Sequence, residues 1–184
     1  MPLKEVRIHG RGGQGAVTAS EVLAVAAFYD GKYCQAFPSF GVERRGAPVE
    51  AFTRIADEPI NIREHVYEPD YVILLDPTLL SSVDVARGVK DSGIIIINSN
   101  RPASEFGLNT KARIETIDMT AAAMEIIGKP FVNIASLGAF AAITNEVTLE
   151  SVFKAIDQEF AHKKAIGELN KKAAEKLYKM FKGE

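Results

Sequence analysis

The sequence predicts an α/β fold: three layers around a mostly parallel sheet, with an added antiparallel strand and helices at the C-terminal end. Three observations carry this. A short strand runs through a glycine-dense turn into an alanine-rich stretch free of Gly and Pro, "VRIHGRGGQGAVTASEVLAVAAF" at 6–28. Two continuous apolar runs, "YVILLD" at 71–76 and "GIIIIN" at 93–98, have the character of central strands covered on both faces. From Thr148 onward the chain reads as two amphipathic helices.

In order, "EVRIH" alternates and stops at Gly10, giving a strand over 5–9, followed by a helix from about Gly15 to Tyr29 whose apolar residues run most of the way round. "YCQAF" is a second strand, ended by Pro38. Strand, loop, helix and strand make the opening of a parallel, right-handed unit. "VEAFTRI" alternates as a strand, and "PTLLSSVDVARGV" is expected as the crossover helix between the two apolar strands, with Pro77 at a favoured first-turn position. "ARIETID" is a later strand, "MTAAAMEIIG" a helix closed by Gly128, and "NIASLGAFAAITN" a small-residue segment suited to tight packing. Thr148 starts the penultimate helix, and the last should bury Leu169, Ala173, Leu177 and Met180 or Phe181 on one stripe.

A chain of 184 residues with 47% hydrophobic and 25% charged residues fits one compact domain, 1–184. A net charge of -2 offers no electrostatic footprint for nucleic acid. With no apolar signal core and no run near the roughly 18 apolar residues of a membrane span, a cytoplasmic location without membrane contact is expected. The single cysteine, Cys34, cannot close an internal disulfide or hold an iron–sulfur cluster. His9, His65 and His162 have no metal-ligand spacing, so no catalytic residue and no metal ligand is assigned to this chain.

Gly10, Gly12 and Gly15 satisfy G-x-G-x-x-G between a strand and a helix, the context of a Rossmann-like dinucleotide site. The acid that should meet a ribose after the second strand is missing, since that strand ends in Pro38 and Ser39. The loop, Gly10 and Gly12 to Gly15 with Gln14, is then suited to another phosphate-bearing ligand, to a wall of a partner's site, or only to close helix packing. "FPSFGVERRGAP" is more distinctive: Arg44 and Arg45 stand beside Glu43 between Gly41 and Gly46. Paired guanidinium groups suit phosphate or carboxylate, and a neighbouring glutamate can orient them; a structural ion pair anchoring the loop is the competing reading.

The stretch "GRGGQGAVTASEVLAVAAFYDGKYCQAFPSFGVERRGAPVEAFTRI", with "YVILLDPTLL" and "NIASLGAFAAIT", closely resembles the gamma subunit of pyruvate:ferredoxin oxidoreductase, over nearly the whole chain. The resemblance implies a heteromeric enzyme converting a 2-oxoacid, coenzyme A and oxidised ferredoxin to acyl-CoA, carbon dioxide and reduced ferredoxin. It implies alpha, beta and delta subunits as partners. Thiamine diphosphate, magnesium and iron–sulfur clusters would be held by those other subunits and none by this chain, which alone should be inactive. Gly10, Gly12, Gly13, Gln14, Gly15, Ser39, Glu43, Arg44 and Arg45 are expected to face coenzyme A, the thiamine pocket or a subunit interface. The arginine-loop wording resembles the pyruvate branch and also the 2-oxoisovalerate branch. A freestanding NAD(P)-binding protein and a non-enzymatic assembly scaffold are the alternatives.

Overall fold

A computed structural model describes residues 3–39 and 45–183; Glu43 and Arg44 of the arginine loop lie outside them. Its elements are β1 (Lys4–Arg11), α1 (Ala16–Tyr29), β2 (Tyr33–Pro38), β3 (Pro48–Ala56), β4 (Tyr71–Leu74), β5 (Ile94–Asn98), β6 (Arg113–Ile117), α2 (Met119–Ile127), α3 (Ser136–Thr144), α4 (Leu149–Glu159) and α5 (Lys164–Lys182). The six strands are ordered β2-β3-β1-β4-β5-β6. β1, β4, β5 and β6 run parallel, and β3 lies antiparallel to both β1 and β2. β3 is therefore the added antiparallel strand, inserted between the two strands that α1 connects.

Alternation along the strands divides the core. Val6, Ile8, Ala51, Ile55, Ile73 and Ile96 face one side, where all five described helices contribute to a single apolar cluster. Val72, Leu74, Ile95 and Ile97 face the other. That second layer is made of turns and short 3-10 segments, and this corrects the expectation of a crossover α-helix over 77–89: only Pro77–Ser81 coils, as a 3-10 helix. The cause is local competition for the backbone. Ser81 and Ser82 donate back to the carbonyls of Thr78 and Leu79, and Asp84 accepts from the Ala86 N–H. Leu79, Val85 and Ala86 still bury their side chains against the sheet.

The helical layer is tight where small residues meet. A Cβ on Gly138 of α3 would lie 1.9 Å from the Ala174 carbonyl of α5, so these helices touch through backbone. α4 begins at Thr148, whose hydroxyl accepts from the Ser151 N–H. Asp30, at the end of α1, receives the Thr148 N–H, the Thr148 hydroxyl and the Ser151 hydroxyl. Burial alone would raise the Asp30 carboxyl, but these hydrogen bonds outweigh it and hold it below the ordinary value. On α5, Ala173 and Leu177 are buried as expected, and of the two alternatives at the end of the stripe Phe181 packs against the core while Met180 is 49% exposed.

Candidate functional site

Leaving β1, the chain must reverse into α1 within a few residues, and glycine makes that turn possible. Gly13 and Gly15 have φ of +96° and +77°, left-handed values that a side chain resists. A Cβ on Gly15 would also lie 2.3 Å from the Asn133 amide nitrogen, which instead donates to the Gly15 carbonyl at 3.3 Å. The loop is tied to the far end of the arginine loop as well: the Gly12 N–H donates to Ala47 O and the Gly46 N–H to Gly12 O. These bonds prolong the β1–β3 ladder past the strand ends.

The residue that organises the loop is Asp76, just beyond β4. Its carboxylate accepts from Arg11 Nε at 3.1 Å and from the Gln14 amide at 2.9 Å, and from the N–H and hydroxyl of Thr78. Arg11 continues to Thr78 Oγ1 and to Gly46 O. Gln14 closes the circle by accepting the Arg11 N–H at 2.7 Å. Burial would raise the Asp76 carboxyl, but the hydrogen bonds from Thr78 and Gln14, together with the Arg11 charge, pull it below its usual value. Asp76 is therefore anionic at neutral pH.

α1 starts at this loop with no side-chain cap and no acid in its first turn. Its first-turn N–H groups have no intrahelical partners, and they adjoin a hollow of about 270 Å³ lined by Arg11, Gly12, Gly13, Gly15, Val17 and Val49. Such a helix end attracts an anion. Gly10, Gly12, Gly13, Gln14 and Gly15 are thus brought together at the C-terminal strand ends. Arg45, exposed, adjoins Gly46 at the same edge. Ser39 follows β2 there, its N–H donating to Glu50 O. Sequence reasoning missed Asp76, Thr78, Arg11 and Asn133. The available signal was an acid directly after a continuous apolar strand, at the edge where α/β sheets take ligands.

The remaining titratable groups of interest lie elsewhere. His9 is 1% exposed on the helix-free face, with Nδ1 3.6 Å from Glu50. Burial, then the positive charges of Arg7 and Arg87, lower its pKa to about 3, so the imidazole is neutral. Arg7, also buried, donates to Val85 O and Arg87 O. Burial pushes the Cys34 thiol up, away from the thiolate that a metal or nucleophilic role needs. Among the described residues no group of three His, Cys, Asp or Glu could hold a metal ion, and no helix is long and apolar enough to cross a membrane.

A family model for pyruvate ferredoxin/flavodoxin oxidoreductase matches residues 5–180. A curated relative from Methanosarcina barkeri, pyruvate synthase subunit PorC, is 63% identical over 154 residues, covering 84% of this chain and 85% of its own. One from Thermococcus kodakarensis, the pyruvate/ketoisovalerate oxidoreductases common subunit gamma, is 54% identical and covered over 95% of both chains. Among solved structures, the pyruvate oxidoreductase subunit PORC of Thermotoga maritima superposes with a TM-score of 0.85 at 37% identity, covering 96% of each chain.

Proposed function

The chain belongs to the pyruvate ferredoxin/flavodoxin oxidoreductase family, and from that premise we propose that it is the gamma subunit of a cytoplasmic, heteromeric pyruvate:ferredoxin oxidoreductase. The complex converts pyruvate, coenzyme A and oxidised ferredoxin to acetyl-CoA, carbon dioxide and reduced ferredoxin. The partners are alpha, beta and delta subunits, and this chain acts over its whole length as one gamma-type domain. The relative from Thermococcus kodakarensis, shared between two oxidoreductases by its name, favours a second reading in which this chain also serves a 2-oxoisovalerate enzyme.

An enzyme of this family depends on cofactors, and the residues of this chain do not fit an iron–sulfur cluster. A cluster needs several thiolates, and the one cysteine is half-buried on β2 with its thiol pushed up. The iron–sulfur clusters are then held by other subunits, and in this reading thiamine diphosphate and magnesium are held there too. What this chain contributes is a wall. The observation that supports this reading is the hollow at the start of α1, beside the Asp76 network and bordered by Val49 of β3. Gly12 to Gly15 and Arg45, with Arg44 and Ser39 nearby in sequence, would bind phosphate groups of coenzyme A at that edge, and Glu43 would orient the arginines.

Co-purification of the native complex with mass identification of the subunits, plus pyruvate- and CoA-dependent viologen reduction, tests the subunit role. Isolation of the chain alone, with NAD binding on titration, would overturn it. Changing Arg44 and Arg45 together to alanine should raise the KM for coenzyme A, on the order of tenfold or more for two lost charge-assisted contacts. Unchanged kinetics and stoichiometry would remove the arginines from the site and leave a packing role.

A further inference from the structure

The two edges of the sheet are protected differently. β6 ends one side and carries charge, with Arg113 paired to Glu115 and set over the Phe181 ring, as edge strands that avoid pairing commonly do. β2 ends the other side, and its residues Tyr33 to Pro38, "YCQAFP", include no charge. The Ser39 N–H donates to Glu50 O and the register pairs Phe37 with Phe52 and Gln35 with Arg54. Alternation then turns the N–H and C=O groups of Cys34 and Ala36 outward. Among the described residues no loop backbone pairs with them.

We propose that β2 pairs antiparallel with β2 of a second copy of this chain, about a two-fold axis at Gln35, joining two sheets into one. In side-chain class the strand is symmetric about that axis, with aromatic, small, Gln35, small and aromatic residues from Tyr33 to Phe37. Cys34 and Ala36 of each copy exchange both backbone hydrogen bonds, Gln35 meets Gln35, and the aromatic residues two positions away, Tyr33 and Phe37, meet across the seam. Aromatic cross-strand pairs of this kind stabilise a ladder, and no like charges oppose one another. Tyr33 is 50% exposed and Phe28, beside it at the end of α1, 66% exposed. Both border a hollow of about 370 Å³ with Lys32 and Cys34. The register sets the Phe37–Pro38 end of the second copy opposite that hollow. A partner needing only an apolar surface would not require this symmetry.

Sedimentation of the full chain should give twice the 20.0 kDa of one copy at tens of micromolar. Ala36→Pro should return it to monomer with its far-ultraviolet spectrum intact, because the lost N–H points away from β3 and proline is tolerated at such edge positions. In the assembled complex, Cys34→Ala with Gln35→Cys should yield a disulfide-linked pair on mild oxidation, since directly opposed residues of this class lie about 4.5 Å apart. A monomeric wild type, a dimer indifferent to Ala36→Pro, or no cross-link in the complex would each overturn the proposal. So would loss of partner subunits from the Ala36→Pro complex, which would give the edge to another chain.

Discussion

Asp70 precedes β4 and Asp76 follows it, so a single strand carries an aspartate at each end of the sheet. Asp70 is 7% exposed and receives Lys4 at 3.4 Å, Lys90 at 2.8 Å and the Glu5 N–H at 3.0 Å. Nearby, Arg54 is held by Glu5 and donates to the Ile62 and Glu64 carbonyls, pinning the segment after β3. That end is neutralised by donors from the fold itself, although a hollow of about 560 Å³ lies there between Leu3, Ala56 and the segment from Glu58 to Ile62. At the other end Asp76 draws its donors from the glycine loop itself, and the helix start beside it stays uncapped over a hollow. The same carboxylate is a rivet at one end and a loop organiser at the other. What separates them is the source of the donors: stems fixed in the fold, or a turn that faces outward.

The largest effect is expected at the Asp70 end. Asp70→Ala leaves the Glu5 N–H without its acceptor and removes the partner of two part-exposed lysines, and should cost about 2 to 3 kcal/mol by urea denaturation, with kinetic constants per assembled complex unchanged; a loss below about 1 kcal/mol would deny the rivet. Next comes Gly15→Ala, which forces a side chain into a left-handed backbone and into Asn133. Roughly 2 kcal/mol is expected, and a neutral result in the same titration would show the turn to be pliable. His9, on β1 between the two ends, sharpens the comparison through pH. Its folded pKa is about 3 against an ordinary 6.5, so the unfolded chain binds the extra proton between those values. Its contribution is present above pH 6.5 and is lost as pH falls, approaching about 1.4 kcal/mol per pH unit. His9→Gln should flatten that slope, and an unchanged slope would locate the proton uptake elsewhere. Smallest in stability is Asp76→Asn, about 1 kcal/mol, because the amide keeps an acceptor oxygen for the donors around it.

Strands were the most legible part of the sequence. Continuous apolar runs located β4 and β5, alternation located β3, and Thr148 marked the start of α4. The crossover was misread because apolar content and Pro77 resemble a helix start, whereas Ser81, Ser82 and Asp84 bind the local backbone instead. Between Met180 and Phe181 the stripe takes Phe181, because α5 turns its Gly167, Asn170 and Ala174 side inward, where small residues let α3 approach. The glycine loop was legible as a turn before a helix, but its anchoring was not, since Asp76 lies 62 residues from Gln14 in sequence. Nor did alternation in β1 and β3 disclose that Arg7 and Arg54 would be 1% exposed. Their partners are largely carbonyls of distant loops, which no local pattern announces.

The KM for coenzyme A of the assembled complex carrying Asp76→Ala, measured beside the Asp70→Ala complex, tests the central claim most directly. Loosening Arg11 and Gln14 should raise that KM on the order of tenfold or more while subunit stoichiometry holds and the Asp70→Ala complex keeps the wild-type value. Equal KM values in the two variants and the wild type would contradict the assignment of the Asp76 strand end to the active site.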